Sequence, residues 1–195
     1  MSHDPDPPPS PPRKRCKRYN TPGDTHFLTF SCLRRQPFLT RDRTCQWLAD
    51  AITSAKIKHN FQLITYVFMP EHVHLLIFPT EENYSISAIL KAIKQPVAQR
   101  AMHFVTTQAL AFLQKMTVEE GGQQKFRFWQ PGGGHDRNIF SPKELWEKIN
   151  YIHRNPVARK LVPKAIDWQW SGAADFAKLR TGPLPLDNVN LAWLR

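Results

Sequence analysis

The chain is poor in what would staple or chelate a small fold. Its cysteines are three, Cys16, Cys32 and Cys45, an odd count without paired metal-ligand spacing. That argues against a disulfide framework and against a zinc knuckle, and it fits a reducing cytoplasm. Long hydrophobic runs are missing: no apolar stretch reaches the roughly 18 residues of a membrane span. The opening MSHDPDPPPSPPRKRCKR has no hydrophobic segment, so it does not read as a secretory signal. Internal repeats are absent. Acidic side chains are scarce, 16 Asp and Glu against 27 Lys and Arg, for a formal charge of +11 and a pI near 9.9. A surplus of that size points to a polyanionic partner, most often nucleic acid, although a merely solvated basic surface has the same composition. What is plentiful is apolar material. With 41% hydrophobic residues, 12 Phe and 6 Trp in 195 residues, one sizeable core is expected.

Residues 1–18 are Pro-rich and then basic, too polar to bury enough surface to offset their ordering entropy, and read as a disordered arm. Residues 19–178 read as the folded domain, and 179–195 as a C-terminal tail. Within the domain, β-branched and aromatic content predicts a strand over 25–33. Apolar residues at helical spacing predict a helix over 41–58. Strands follow at 61–69 and 72–79, joined by a short Pro-Glu link that makes them an antiparallel pair. A helix over about 86–104 starts after a Ser cap, and Pro96 is expected to kink or break it. The segment 105–125 is poorly patterned, with EEGGQQ read as a loop. A short aromatic strand is expected at 126–130, a flexible turn at PGGG and a strand edge at HDRNIF. Ser141 as N-cap, Pro142 behind it and Glu144 three after the cap mark a helix over 141–155, ended by Asn155-Pro156. This order of elements suggests an α+β fold of ferredoxin-like type, a mostly antiparallel central sheet flanked by helices.

The stretch TYVFMPEHVHLLIFP, residues 65–79, poses the functional question. Strand side chains alternate faces, so His72, His74, Leu76 and Phe78 share one face and Val73, Leu75 and Ile77 the other. Two imidazoles two residues apart can converge on one divalent ion. Two half-buried histidines satisfied by backbone or water are the plain alternative. On the helix 142–155, Leu145, Ile149 and Ile152 form the core stripe, with Trp146 at its edge. Tyr151 and Asn155 lie one turn apart on a flank with Lys148. Together these residues describe a metal-assisted transesterification site. His72, His74 and the Asn155 amide oxygen would hold Mg²⁺ or Mn²⁺, which polarises a phosphodiester. Tyr151 would be the nucleophile, and Lys148 and the metal would help its phenol ionise. The product would be a 5′-phosphotyrosine and a free 3′-hydroxyl, so the ester can be rejoined without ATP.

YVFMPEHVHLLIFP resembles the His-hydrophobic-His signature of HUH single-tyrosine transposases. WEKINYIHRNPVARKLV resembles the tyrosine-helix motif of their REP-associated branch, and DWQWSGAADF that branch's Trp-Ser tail. The resemblance covers about residues 19–178. It implies the HUH variant of the ferredoxin-like fold, with His72 and His74 as metal ligands, Tyr151 as nucleophile and Asn155 as third ligand. It implies single-stranded DNA beside a hairpin repeat as substrate, handled by a monomer or a homodimer. Glu71 departs from the pattern, standing where asparagine is common, and is a supporting residue for the site. Arg34, Arg35, Lys91, Lys94, Arg100, Arg127, Arg137, Arg154 and Arg159 are candidates to track the strand. Phe126, Phe128 and Trp129 alternate with Arg127, so base stacking is conceivable, with core packing expected for at least two of them.

Two other readings compete. One is a single-strand nucleic-acid binder that keeps the fold without the chemistry. The other is a zinc hydrolase built on the His pair with His135, for which the remaining histidines form no recognisable ligand spacing.

Overall fold

The computed structural model describes residues 18–189, so most of the Pro-rich basic arm and the end of the tail lie outside the described residues. A four-stranded antiparallel sheet runs in the order β2–β3–β1–β6, from β1 (Thr25–Ser31), β2 (Phe61–Phe68), β3 (His72–Pro79) and β6 (His135–Ile139). This is the strand order of a ferredoxin-like fold. Helices α1 (Asp42–His59) and α2 (Ile86–Gln108) cover one face, and α3 (Pro142–Ala158) covers the other. A two-stranded hairpin, β4 (Thr117–Glu120) with β5 (Gln123–Phe126), stands apart. A short α4 (Ala173–Phe176) follows.

The period-two pattern of β1 and β3 sorts the two cores. Leu28 and Phe30 of β1 join Val73, Leu75 and Ile77 of β3 beneath α1 and α2. Phe27 and Leu76 join Leu145, Ile149 and Ile152 of α3 on the far side. His72 and His74 fall on the α3 face, which is what alternation requires once Leu76 is placed there. Ser85 and Ser141 each accept a bond from the backbone N–H three residues on, so α2 and α3 are capped by their own sequence.

Four local expectations are corrected. Pro96 does not break α2, which runs as one helix with seven buried residues along it, Ile86 to Val105; the burial of that stripe outweighs the single backbone bond proline removes. Pro156 does not end α3. The helix continues to Ala158, Pro156 itself is buried, and Arg159 N–H donates to the Asn155 carbonyl at 3.1 Å. The bias against helix before proline is a preference that packing overrides here. EEGGQQ is not a loop but the turn of the β4–β5 hairpin, with Gly121 at φ +62° and Gly122 at +73°, the pair of positive φ values that a tight hairpin turn needs. The aromatic segment 126–130 is not a strand: Phe126 closes β5, and Trp129 makes one isolated bridge to Cys32.

The PGGG turn is braced. Gly134 sits at φ +74°, and a Cβ there would run into the Thr29 carbonyl oxygen. Gly134→Ala is expected to destabilise the protein by more than the about 1–2 kcal/mol of a left-handed non-glycine residue, because the start of β6 must also leave β1. Gly132, at φ +96° but facing open space, should lose only the backbone part on the same substitution. Denaturant melts of the two variants compare these costs, and equal losses would overturn the close-approach account.

Candidate active site

Register places the site. Thr29 of β1 pairs with His74 and Ser31 with His72, so a hydroxyl stands beside each imidazole on the α3 face. Both rings are buried, His72 at 6% and His74 at 4% exposure. Their Nε2 atoms are 3.1 Å apart. Each Nδ1 is tied down behind: His72 Nδ1 lies 3.1 Å from Glu71 Oε1, and His74 Nδ1 lies 2.7 Å from Thr29 Oγ1. Donation of Nδ1–H to the Glu71 carboxylate leaves the His72 Nε2 lone pair free, and the Thr29 hydroxyl can accept from His74 in the same way.

Electrostatics keep the pair neutral. Burial depresses the His74 pKa to about 3, and the neighbouring His72 and Arg35 charges add to it. Burial also lowers His72, against the opposing pull of Glu71. Neutral imidazoles with converging nitrogens are what a cation requires of its ligands. The spacing fits as well, since two donors at right angles on an ion about 2.1 Å from each stand about 3 Å apart. Among the described residues, no group of three or more His, Cys, Asp or Glu side chains is placed to hold an ion. Any further protein ligand must therefore come from another residue type, and Asn155 lines the same cavity. His135 sits on β6, where Thr29 pairs with it on one side and with His74 on the other, a full strand away from the pair.

Helix α3 brings Tyr151 over the histidines. Its ring centroid is 5.2 Å from that of His74 and 6.0 Å from that of Phe27, both edge-on, and half of the residue is exposed. Tyr151 and Asn155 line one cavity of about 810 Å³ with His72, His74, Thr29 and Ser31. Arg35, Arg154 and Arg159 stand on its walls. Glu71 is the hub behind it. Its Oε1 accepts from Arg159 at 2.7 Å and Arg35 at 3.1 Å in addition to its His72 contact. Burial works to raise the Glu71 pKa, but the Arg159 bond and the His72 and Arg159 charges leave it below the usual carboxylate range. Arg159 caps α3, so this carboxylate also ties the tyrosine helix to the histidine strand. Arg34 and Arg35 both adopt positive φ, 50° and 53°, in the turn that follows β1.

The other predicted residues scatter. Lys148 lies with its Nζ 5.3 Å from the Phe27 ring centre, and its charge acts on His74. Arg137 pairs with Glu144 at 2.6 Å and Arg100 with Asp50 at 2.9 Å. Arg34 bonds through its backbone to Gln130. Lys91, Lys94 and Arg127 line a different cavity. Of the three aromatics, Phe128 and Trp129 are buried and only Phe126 is partly open. Sequence reasoning missed Thr29 and Ser31. Their shared parity with Phe27 was legible, but their partners follow only from the β1–β3 register.

On another flank of α3, between Tyr151 and Asn155 in the chain, His153 Nε2 lies 2.7 Å from Thr65 Oγ1, and burial lowers its pKa to about 4. Its folded pKa is below the unfolded value of about 6.5, so the unfolded chain takes up the proton first. The stability that neutral His153 contributes is full above about pH 6.5 and falls away as pH drops toward 4. His153→Gln, which keeps the bond to Thr65 without titrating, should flatten the loss of denaturant midpoint between pH 6.5 and 4.5. An unchanged pH slope in that variant would refute this account.

Residues 24–116 match the family model of IS200-like transposases. A putative REP-associated tyrosine transposase of Haemophilus influenzae is 25% identical over 166 residues, covering 80% of this chain and 82% of its own. A REP-associated tyrosine transposase of Escherichia coli is 25% identical over 155 residues, with 80% and 79% covered. The structure of a REP-associated tyrosine transposase bound to a REP hairpin superposes with a TM-score of 0.67 at 21% identity, covering 91% of this chain and 99% of that one. Among the described residues no helix is long and apolar enough to cross a membrane.

Proposed function

We propose that this chain, similar over 80% of its length to REP-associated tyrosine transposases and matching the IS200-like transposase model over residues 24–116, cuts and rejoins single-stranded DNA through Tyr151. The observation that carries this reading is the placement of Tyr151 against His74, ring centroids 5.2 Å apart, in one cavity with a converging imidazole pair. His72 and His74 would hold Mg²⁺ or Mn²⁺, with the Asn155 side-chain oxygen as third protein ligand. When bound, the ion supplies Lewis-acid polarisation of the phosphodiester and offsets its developing charge.

The protein's own residues do the rest. Arg35, Arg154 and Arg159 give the cavity a cationic wall for the phosphodiester. Phe27 and His74 hold the Tyr151 ring edge-on in the cavity that it lines. The phenolic oxygen gives up its proton and attacks phosphorus, the bond from phosphorus to O3′ breaks, O3′ takes up a proton to leave as the free 3′-hydroxyl, and the 5′-phosphate stays on Tyr151. Attack by a 3′-hydroxyl on that phosphotyrosine restores a phosphodiester and frees the phenol. No bond energy is lost between the two steps, so neither needs a nucleotide triphosphate.

The substrate proposed is single-stranded DNA beside a hairpin repeat. The test is a denaturing gel of full-length protein mixed with labelled hairpin-bearing strands and Mg²⁺ or Mn²⁺. A protein–DNA band that survives SDS supports the reading. Tight binding to the same strands with no linked band in either metal would replace it with a non-catalytic single-strand binder.

A further inference from the structure

Three cavities adjoin across the edge of the sheet. The Tyr151 cavity shares Thr29 and Ser31 with a smaller one of about 200 Å³. The smaller one shares Lys94, Gln130 and Pro131 with a third, of about 370 Å³, between α2 and the segment after β5. Shared lining residues therefore set three neighbouring cavities in sequence, from the His pair, past the glycine turn, to a chamber between α2 and the segment after β5.

That chamber is lined by Arg18, Lys91, Lys94 and Arg127, and by no Asp or Glu. Arg127 has a carboxylate of its own, Glu120 at 2.7 Å. Arg18 reaches Asp136 only at 3.4 Å, and its Nε is buried without a hydrogen-bond acceptor. Lys94 has no carboxylate partner among the described residues. Its ammonium donates to the Gly132 carbonyl at 3.2 Å and lies 5.8 Å from the Phe30 ring centre. Burial, with the Arg18 charge beside it, lowers the Lys94 pKa to about 8. A half-buried ammonium with no carboxylate of its own, beside a guanidinium, is unfavourable until an anion arrives.

The walls are built to keep this arrangement close. Arg18 Nη2 donates to the Gly133 carbonyl at 2.6 Å, and a Cβ on Gly133 would overlap the guanidinium. Trp129 Nε1 donates to the Lys94 carbonyl at 2.9 Å, with its ring turned into the core. The aromatic residues thus form the floor and offer no stacking platform beyond Phe126. A ligand here meets positive charge rather than base-reading groups, which is how phosphates are held.

We propose that this chamber holds the sugar–phosphate backbone of the same single strand, a few nucleotides from the phosphate attacked by Tyr151, with Lys91 and Lys94 as its phosphate contacts. The proposal rests on the strand-cutting reading above and adds a second, sequence-independent grip to it. The experiment uses full-length Tyr151→Phe protein and labelled strands in which single phosphates, walking outward from the cleavage position, are replaced by neutral methylphosphonates. One or two outer positions should weaken binding when neutralised, whatever base stands there. In the same background, Lys91→Gln should make binding indifferent to that replacement and lower the slope of log affinity against log salt by about 0.7. Lys91 is exposed on α2, so this variant carries little folding risk; Lys94→Met, which keeps the apolar stem, should behave alike. The proposal is overturned if no outer phosphate matters, or if its effect persists unchanged in both lysine variants. Wild-type protein assayed for SDS-stable linkage to the same strands separates the two readings. Linkage without an outer-phosphate effect removes the chamber alone. An outer-phosphate effect without linkage removes the strand-cutting chemistry and leaves a binding groove.

Discussion

Tyr151→Phe is expected to abolish covalent capture of DNA and to leave binding and folding in place. The substitution removes one oxygen and keeps the ring that packs against His74 and Phe27. Half of the residue is already exposed, so the change in stability should stay within about 0.5 kcal/mol. The arginine wall is untouched, so strand affinity should change little. Linkage should fall on the order of a million-fold, as it does when other covalent nucleophiles are removed, which on a gel is complete loss. The other described phenols stand elsewhere: Tyr19 is exposed beside Asn138 of β6 and does not line the Tyr151 cavity. Tyr66 is fully buried in the core on the opposite face, and Tyr84 bonds to His26 and to the Thr21 carbonyl. An SDS-stable adduct in Tyr151→Phe would assign the nucleophile elsewhere.

His74→Ala is expected to remove the response to metal that the proposed site implies. In the wild type, Mn²⁺ in hundredfold excess over its dissociation constant should raise stability by about 2.7 kcal/mol, read as a shift in thermal midpoint. The alanine variant keeps one imidazole and loses the converging partner 3.1 Å away, so the shift should vanish. Glu71→Gln is the finer probe. It keeps the shape but weakens the charge that orients His72 and holds Arg35 and Arg159. Loss of such an orienting group weakens metal binding by about 10- to 100-fold. An equal midpoint shift in wild type and His74→Ala would rule out the imidazole pair as the site. Because both histidines are held neutral by burial, wild-type affinity should be nearly flat between pH 7 and 8.

Much of this was legible in the chain. Alternation in HVHLLIF put both histidines on one face without any structure, because a strand has only two faces and Leu76 and Phe78 share theirs. The 3.6-residue period of α3 separated its core stripe from the flank bearing Tyr151 and Asn155. The cap residues Ser85 and Ser141 announced their helices. The errors fell where a local preference met burial. Pro96 did not break α2 and Pro156 did not end α3, both lying in packed helices, and EEGGQQ, read as a loop, is built around a hairpin turn.

The sequence by itself determined the alternation, the helix faces, the positive charge and the two motifs, because each of these depends on neighbours no more than a few turns away. Only the tertiary structure decided which strands lie side by side, and that sets everything between motifs. The β1–β3 register put Thr29 and Ser31 beside the histidines. The opposite-face docking of α3 set Tyr151 above them. The charges were sorted by the same folding: Arg35 and Arg159 were gathered onto Glu71, while Lys91 and Lys94 were sent with Arg18 to the chamber between α2 and the segment after β5. Residues 18 and 94, or 71 and 159, are too far apart in sequence for any local rule to pair them. Burial of two apolar faces on one sheet brings them together, and their charges are then obliged to find whatever partner the packing leaves within reach.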